Sequence, residues 1–152
     1  MRTFVVLLVA ALLPGVALAA PNGALANSME FDHIAIHVHD VEKSAAFYEK
    51  VFGLQRLPEP FHDGLHVWLR VGPHVALHVV GGADAVTQHA ITDHFAFHTA
   101  SLDGFMARLD REHIAYRDFK GDGKINTRAD GVRQVYLQDP DGYWIEVNEA
   151  KP

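Results

Sequence analysis

The chain has 152 residues, with 13 Lys+Arg against 19 Asp+Glu, a formal charge of −6 and eleven histidines. That length holds one domain, or two small modules sharing a core. An acidic chain with no basic stripe excludes a nucleic-acid binder, and the absence of cysteine excludes disulfides and thiolate zinc sites.

The first 19 residues read as a secretory leader. Arg2 is a positive n-region, Phe4 to Leu13 is almost wholly apolar, and Ala17-Leu18-Ala19 offers small residues for cleavage before Ala20. The apolar run is short for a membrane span. The expectation is a cleaved signal peptide over 1–19, a flexible lead-in over 20–29, no stable membrane anchor after cleavage, and a periplasmic or extracellular location. A second Ala-Leu-Ala at 24–26 leaves the cut site open by a few residues.

Phe31 to Val38 alternates with period two, which predicts a half-buried strand with Ile34, Ile36 and Val38 on one face and His33, Ala35 and His37 on the other. Asp40 then caps a helix whose apolar positions include Val41, Ala45, Tyr48, Val51 and Phe52, closed by Gly53. Two strand-like runs follow, HVWLRV (66–71) and HVALHVV (74–80), around Gly72-Pro73. His66, Trp68 and Arg70 share one face of the first run. His74, Ala76 and His78 share one face of the second, with aliphatics opposite.

After a linker over 83–92 the pattern restarts. DHIAIHV (32–38) is echoed by DHFAFHT (93–99), which sets His94, Ala96 and His98 on one face and Phe95 and Phe97 on the other. Ser101 caps a second helix carrying Leu102, Phe105, Met106 and Leu109. An extended run lies at Ala115 to Asp118, a polar glycine-containing loop at Lys120 to Gly131, and two last strands at 132–138 and 143–149, around Asp139-Pro140-Asp141-Gly142. The chain is thus strand, helix and strands written twice, as modules 30–82 and 93–149. The fold class is α+β: two paired βαβββ modules forming a cupped, partly open mixed sheet with helices on its outer face.

Superimposing the halves pairs His33 with His94 and His37 with His98. It also matches Leu77-His78-Val79 to Ile145-Glu146-Val147. His33, His78, His94 and Glu146 therefore form a His₃Glu set of one parity, and such nitrogen and oxygen donors suit a divalent metal ion. Glu146, between Ile145 and Val147, also needs a compensating charge if buried. A strand histidine is more often a hydrogen-bonded structural residue than a ligand. Four ligand-type residues at symmetry-related positions favour the metal reading. His37, His98, Trp68 and Tyr136 are candidates for substrate contact, each equally compatible with packing.

The segments DHIAIHVHDVEKSAAFYEKVFGL and VYLQDPDGYWIEV resemble the vicinal oxygen chelate superfamily, which includes glyoxalase I, thiol transferases of fosfomycin resistance, extradiol dioxygenases and bleomycin-binding proteins. The resemblance covers residues 30–149. It implies a divalent metal (zinc foremost, with Ni, Co, Mn or Fe as alternatives) held by His33, His78, His94 and Glu146, with Glu146 as proton shuttle to an enediolate. The reading drawn from it is an exported glyoxalase-like lyase or isomerase, acting as a homodimer on a small molecule with vicinal oxygens. Two alternatives are an extradiol-type dioxygenase or thiol transferase, and a non-catalytic small-molecule binder. Four candidate ligands place the chain nearer glyoxalase, although His78 stands where that enzyme usually has glutamate. His37 replaces an arginine that helps to hold a glutathione carboxylate, which puts glutathione adducts in question.

Overall fold

The computed structural model describes residues 29–151, and the leader and most of the lead-in lie outside them. The first module runs β1 (His33–Val38), α1 (Val41–Phe52), β2 (Gln55–Leu57), β3 (His66–Arg70) and β4 (Ala76–Gly81). The second runs β5 (His94–His98), α2 (Leu102–Arg111), β6 (Tyr116–Arg117), β7 (Asn126–Thr127), β8 (Arg133–Gln138) and β9 (Trp144–Asn148). The sheets have the orders β1-β4-β3-β2 and β5-β9-β8-β6, with β7 added beside β8. In each, the first strand is parallel to the last of its module and the remaining pairs are antiparallel. The two-module α+β architecture expected from the repeat is the one present.

Local chemistry accounts for the helices. The Asp40 carboxylate accepts from Lys43 N at 3.0 Å, and Gly53 ends α1 at φ 70°, a left-handed turn that glycine adopts without a Cβ penalty. Ser101 Oγ accepts from Gly104 N at 3.1 Å to start α2. The strands begin or end one or two residues inside the predicted runs, and two short elements were not foreseen. Residues 55–57 pair with β3, and 126–127, inside the predicted loop, pair with β8. Neither is long enough to show a period.

One hydrophobic cluster spans both modules. It takes Ile36, Leu69, Leu77 and Val79 from the first sheet, Val135, Leu137, Ile145 and Val147 from the second, and Tyr48, Leu102 and Leu109 from the helices. Full burial of a leucine side chain contributes about 1.5–3 kcal/mol. The modules also interlock through polar groups: Tyr48 Oη donates to Asp139 Oδ2 (2.7 Å) and Ser44 Oγ to Asp141 Oδ2 (2.5 Å). Phe52 stacks on Phe97 at 4.5 Å between centroids. At the β8–β9 turn, Gly142 has φ 86°, and a Cβ there would lie 2.4 Å from Thr87 O of the linker. Only glycine fits.

Because alternate residues of β1, β3, β4, β5, β8 and β9 turn to this core, the residues between them fall on the opposite face of each sheet. That face carries the candidate site.

Candidate functional site

The register of the first sheet brings His33, His78 and Trp68 together. Ala35 and Trp68 each lie opposite His78, on β1 and β3 respectively. The three rings form one column: Trp68 on His78 at 4.3 Å with planes 3° apart, and His78 on His33 at 4.1 Å and 10°. Burial, with His33 alongside, lowers the His78 pKa, so its imidazole stays neutral with a free electron pair. His33 Nδ1 lies 2.6 Å from Asp32 Oδ2. An ionised carboxylate only accepts, so Nδ1 carries the hydrogen and Nε2 of a neutral His33 is left as a donor for a cation.

In the second sheet the same logic operates on His94. Its Nδ1 lies 2.8 Å from Ile91 O, which can only accept, so the ring hydrogen sits on Nδ1. Nε2 then faces Glu146 Oε2 at 3.3 Å. For a neutral imidazole this sets two electron-pair donors against each other, an arrangement that calls for a proton or a cation between them. Glu146 is 6% exposed and well supplied with hydrogen bonds. Tyr136 Oη donates to Oε2 at 2.6 Å, and Asn148 Nδ2 donates to Oε1 at 2.7 Å. Gln134 Nε2 donates in turn to Tyr136 Oη at 2.5 Å. Burial and the contact with Glu146 both raise the Tyr136 pKa, so the phenol keeps its proton to donate.

The four predicted ligands thus occupy the predicted face, and the chain brings them together as two pairs, His33 with His78 and His94 with Glu146. Among the described residues, no three histidine or acidic side chains are grouped to hold one metal ion. The His33–His78 stack is part of the reason. Parallel rings hold their nitrogens side by side, whereas two ligands of one cation must point at a common centre. The donor chemistry nevertheless fits a divalent metal, with two nitrogens bared by their Nδ1 partners and a buried carboxylate facing one of them.

Of the other predicted site residues, Trp68 packs on His78 and Tyr136 holds Glu146. The backbone of His37 exchanges hydrogen bonds with Tyr143 Oη, from N at 3.1 Å and to O at 3.2 Å. His98 is exposed, in register with Asn148. Sequence reasoning passed over Gln134 and Asn148. Their signal was parity: each stands two residues from Tyr136 or Glu146, a polar side chain on a strand face shared with the candidate base.

A family model described as the Glyoxalase/Bleomycin resistance protein/Dioxygenase superfamily matches residues 30–147. Among curated proteins the chain is similar to a lactoylglutathione lyase of Pseudomonas putida, at 27% identity over 92% of this chain and 95% of the relative. Among solved structures it is similar to Oxidase ChaP-H1, at 29% identity and TM-score 0.65, covering 82% of this chain and 98% of that one. A lactoylglutathione lyase from Agrobacterium tumefaciens shares the fold at 23% identity and TM-score 0.63, with 82% and 96% covered.

Proposed function

The chain belongs to the glyoxalase, bleomycin-resistance and dioxygenase superfamily, and we propose that within it the protein is a metal-dependent lyase or isomerase of the glyoxalase type. One observation carries the reading: His94 Nε2 and Glu146 Oε2 face each other at 3.3 Å while the other ring nitrogen of His94 is tied to Ile91 O. The full-length similarity to a lactoylglutathione lyase supports it.

His33, His78, His94 and Glu146 would hold the cation. When bound, it supplies positive charge that favours negative charge on two adjacent substrate oxygens. Glu146 takes a proton from the carbon beside a substrate carbonyl and returns it to the neighbouring carbon or oxygen. Tyr136 and Asn148 hold one oxygen each, fixing the orientation of the carboxylate for that transfer.

Since one chain presents two donor pairs, we further propose that a second copy of the chain completes the set. Among the described residues β1 and β5, which carry His33 and His94, are edge strands of their sheets, which supports this. The same reading includes export through the leader, for which the mature amino terminus, determined by mass spectrometry, should fall near Ala20.

The test is metal analysis of purified protein. One divalent ion per His₃Glu set is expected in the wild type, lost in His94→Ala; equal metal content in both would refute the site. A second reading, an oxygen-using enzyme, is favoured by the 29% identity to Oxidase ChaP-H1. It requires oxygen consumption with catechol-type substrates, where the lyase reading requires none.

A further inference from the structure

Arg117 stands apart from the other arginines among the described residues. Arg56, Arg128 and Arg133 each pair with carboxylates, Arg108 donates to Val51 O, and Arg70 and Arg111 are exposed to water. Arg117 is half-buried, and among the described residues it has neither an ion pair nor a hydrogen bond from its side chain; its Nε is buried without a partner. Leaving such a donor unpaired carries a desolvation penalty that something must offset.

The surroundings hold the guanidinium in place. Its central carbon lies 4.6 Å from the centroid of Trp144, a cation–π contact. Trp144 is itself fixed by donating Nε1–H to His89 O at 3.0 Å. On another side the loop after β6 passes at Gly121, where φ is 86° and a Cβ would lie 2.2 Å from Arg117 Nη1. An indole and a bare stretch of backbone clasp the cation, and the described residues supply it no anion.

The cation also borders space. A cavity of about 450 Å³ is lined by Tyr116, Arg117, Tyr136, Gln138 and Trp144, within the size range of small-molecule sites. The sheet register aligns this cavity with the candidate base. Arg117 lies opposite Tyr136, and Tyr136 opposite Glu146, in one transverse row. Two strand spacings separate the first from the last, about 10 Å.

We propose that Arg117 is a specificity-determining residue that receives an anionic oxygen group of the substrate, a carboxylate or a phosphate. That group lies about 10 Å across the sheet from the oxygens handled at Glu146. The planar fork of the guanidinium matches either anion with two parallel hydrogen bonds from its terminal nitrogens. The substrate is therefore a two-ended molecule: reacting oxygens at one end, a negative charge at the other, and between them a segment that crosses Tyr136. The assignment of the reacting end rests on the function proposed above, whereas the anion site stands on its own geometry.

The experiment uses the full mature chain without added metal, so that anion binding is read independently of turnover. Phenylacetate, phenyl phosphate and the uncharged phenylacetamide are titrated, with heats measured by calorimetry and the arginine Nε–H signals followed by NMR. Phenylacetate or phenyl phosphate should bind and move the Arg117 Nε–H signal, and the stronger of the two identifies the anion. Phenylacetamide should bind at least about tenfold more weakly, and Arg117→Gln should weaken the preferred anion by about tenfold. Arg117→Lys, which keeps the charge without the fork, should fall between. Equal binding of phenylacetamide, undiminished binding by Arg117→Gln, or no binding of either anion to the wild type overturns the proposal. Anion binding that persists in a chain devoid of lyase activity would sink the proposed reaction and leave Arg117 with its role.

Discussion

Glu146 accepts hydrogen bonds from Tyr136 on one oxygen and Asn148 on the other, with His94 Nε2 beside the first. Donors arranged in this way orient a carboxylate without consuming it. The proton can still be taken up by an electron pair on either oxygen. Replacing Glu146 by Gln keeps the size and removes the basicity. In steady-state assays with a glyoxal hemithioacetal, Glu146→Gln should lower kcat by about 10²–10⁴. Substantial turnover by this variant with its metal retained would show that another group moves the proton. The same scale explains why His33 and His94 suit a metal better than their number alone suggests. Asp32 and Ile91 O each take the Nδ1 hydrogen, and each bares Nε2.

Among the secondary-structure elements, the joint between α1 and the β8–β9 turn has the most consequence. Tyr48 and Ser44 of α1 donate to Asp139 and Asp141, and Asp139 also accepts from the N–H groups of Asp141 and Tyr143 at 2.9 Å each. These bonds favour the charged form of Asp139, but burial outweighs them and raises its pKa above the ordinary 3.8. A carboxyl group that binds its proton more tightly folded than unfolded stabilises the fold fully below the unfolded pKa. That contribution falls as pH rises from about 4 through the raised value. Wild type should therefore lose stability relative to Asp139→Asn as pH is taken from 4 to 7, measured as urea midpoints for both proteins at each pH. Carboxylates held low by neighbouring arginines, the exposed Glu42 and the half-buried Glu149, act in the opposite sense. They are present in both proteins and cancel in the difference. A gap that does not change with pH would mean that Asp139 is as easily ionised folded as unfolded.

For the molecule as a whole, the proposed ligand set divides between the two modules, His33 and His78 in one and His94 and Glu146 in the other. If one copy supplies His33 and His78 and another supplies His94 and Glu146, two inactive variants can rescue each other. Mixed after subunit exchange, His78→Ala and Glu146→Gln chains would form mixed dimers with one intact site of two. Random pairing then restores about a quarter of wild-type activity. No recovery, from variants shown to exchange subunits, would place all four ligands within one chain.

The alternation of apolar and polar residues was enough to assign His33, His78, His94 and Glu146 to one face, and the caps at Asp40, Gly53 and Ser101 were legible as they stand. Strand parity and helix capping are local properties of a backbone, carried by neighbours in sequence. The short strands at 55–57 and 126–127 were not legible, because two or three residues hold no period and exist only through the strands they pair with. Nor were the site's finer parts. The stacking of His78 between Trp68 and His33, the burial of Gln134 and Asn148, and the contact of Trp144 with Arg117 join residues far apart in the chain, and even the near pairs, His94 with Ile91 O and Arg117 with Gly121, depend on how a loop folds back. By itself the sequence determined the repeated module, the elements and the faces. Tertiary structure alone decided which side chains meet, because ring orientation and the pairing of a buried charge depend on everything packed around them.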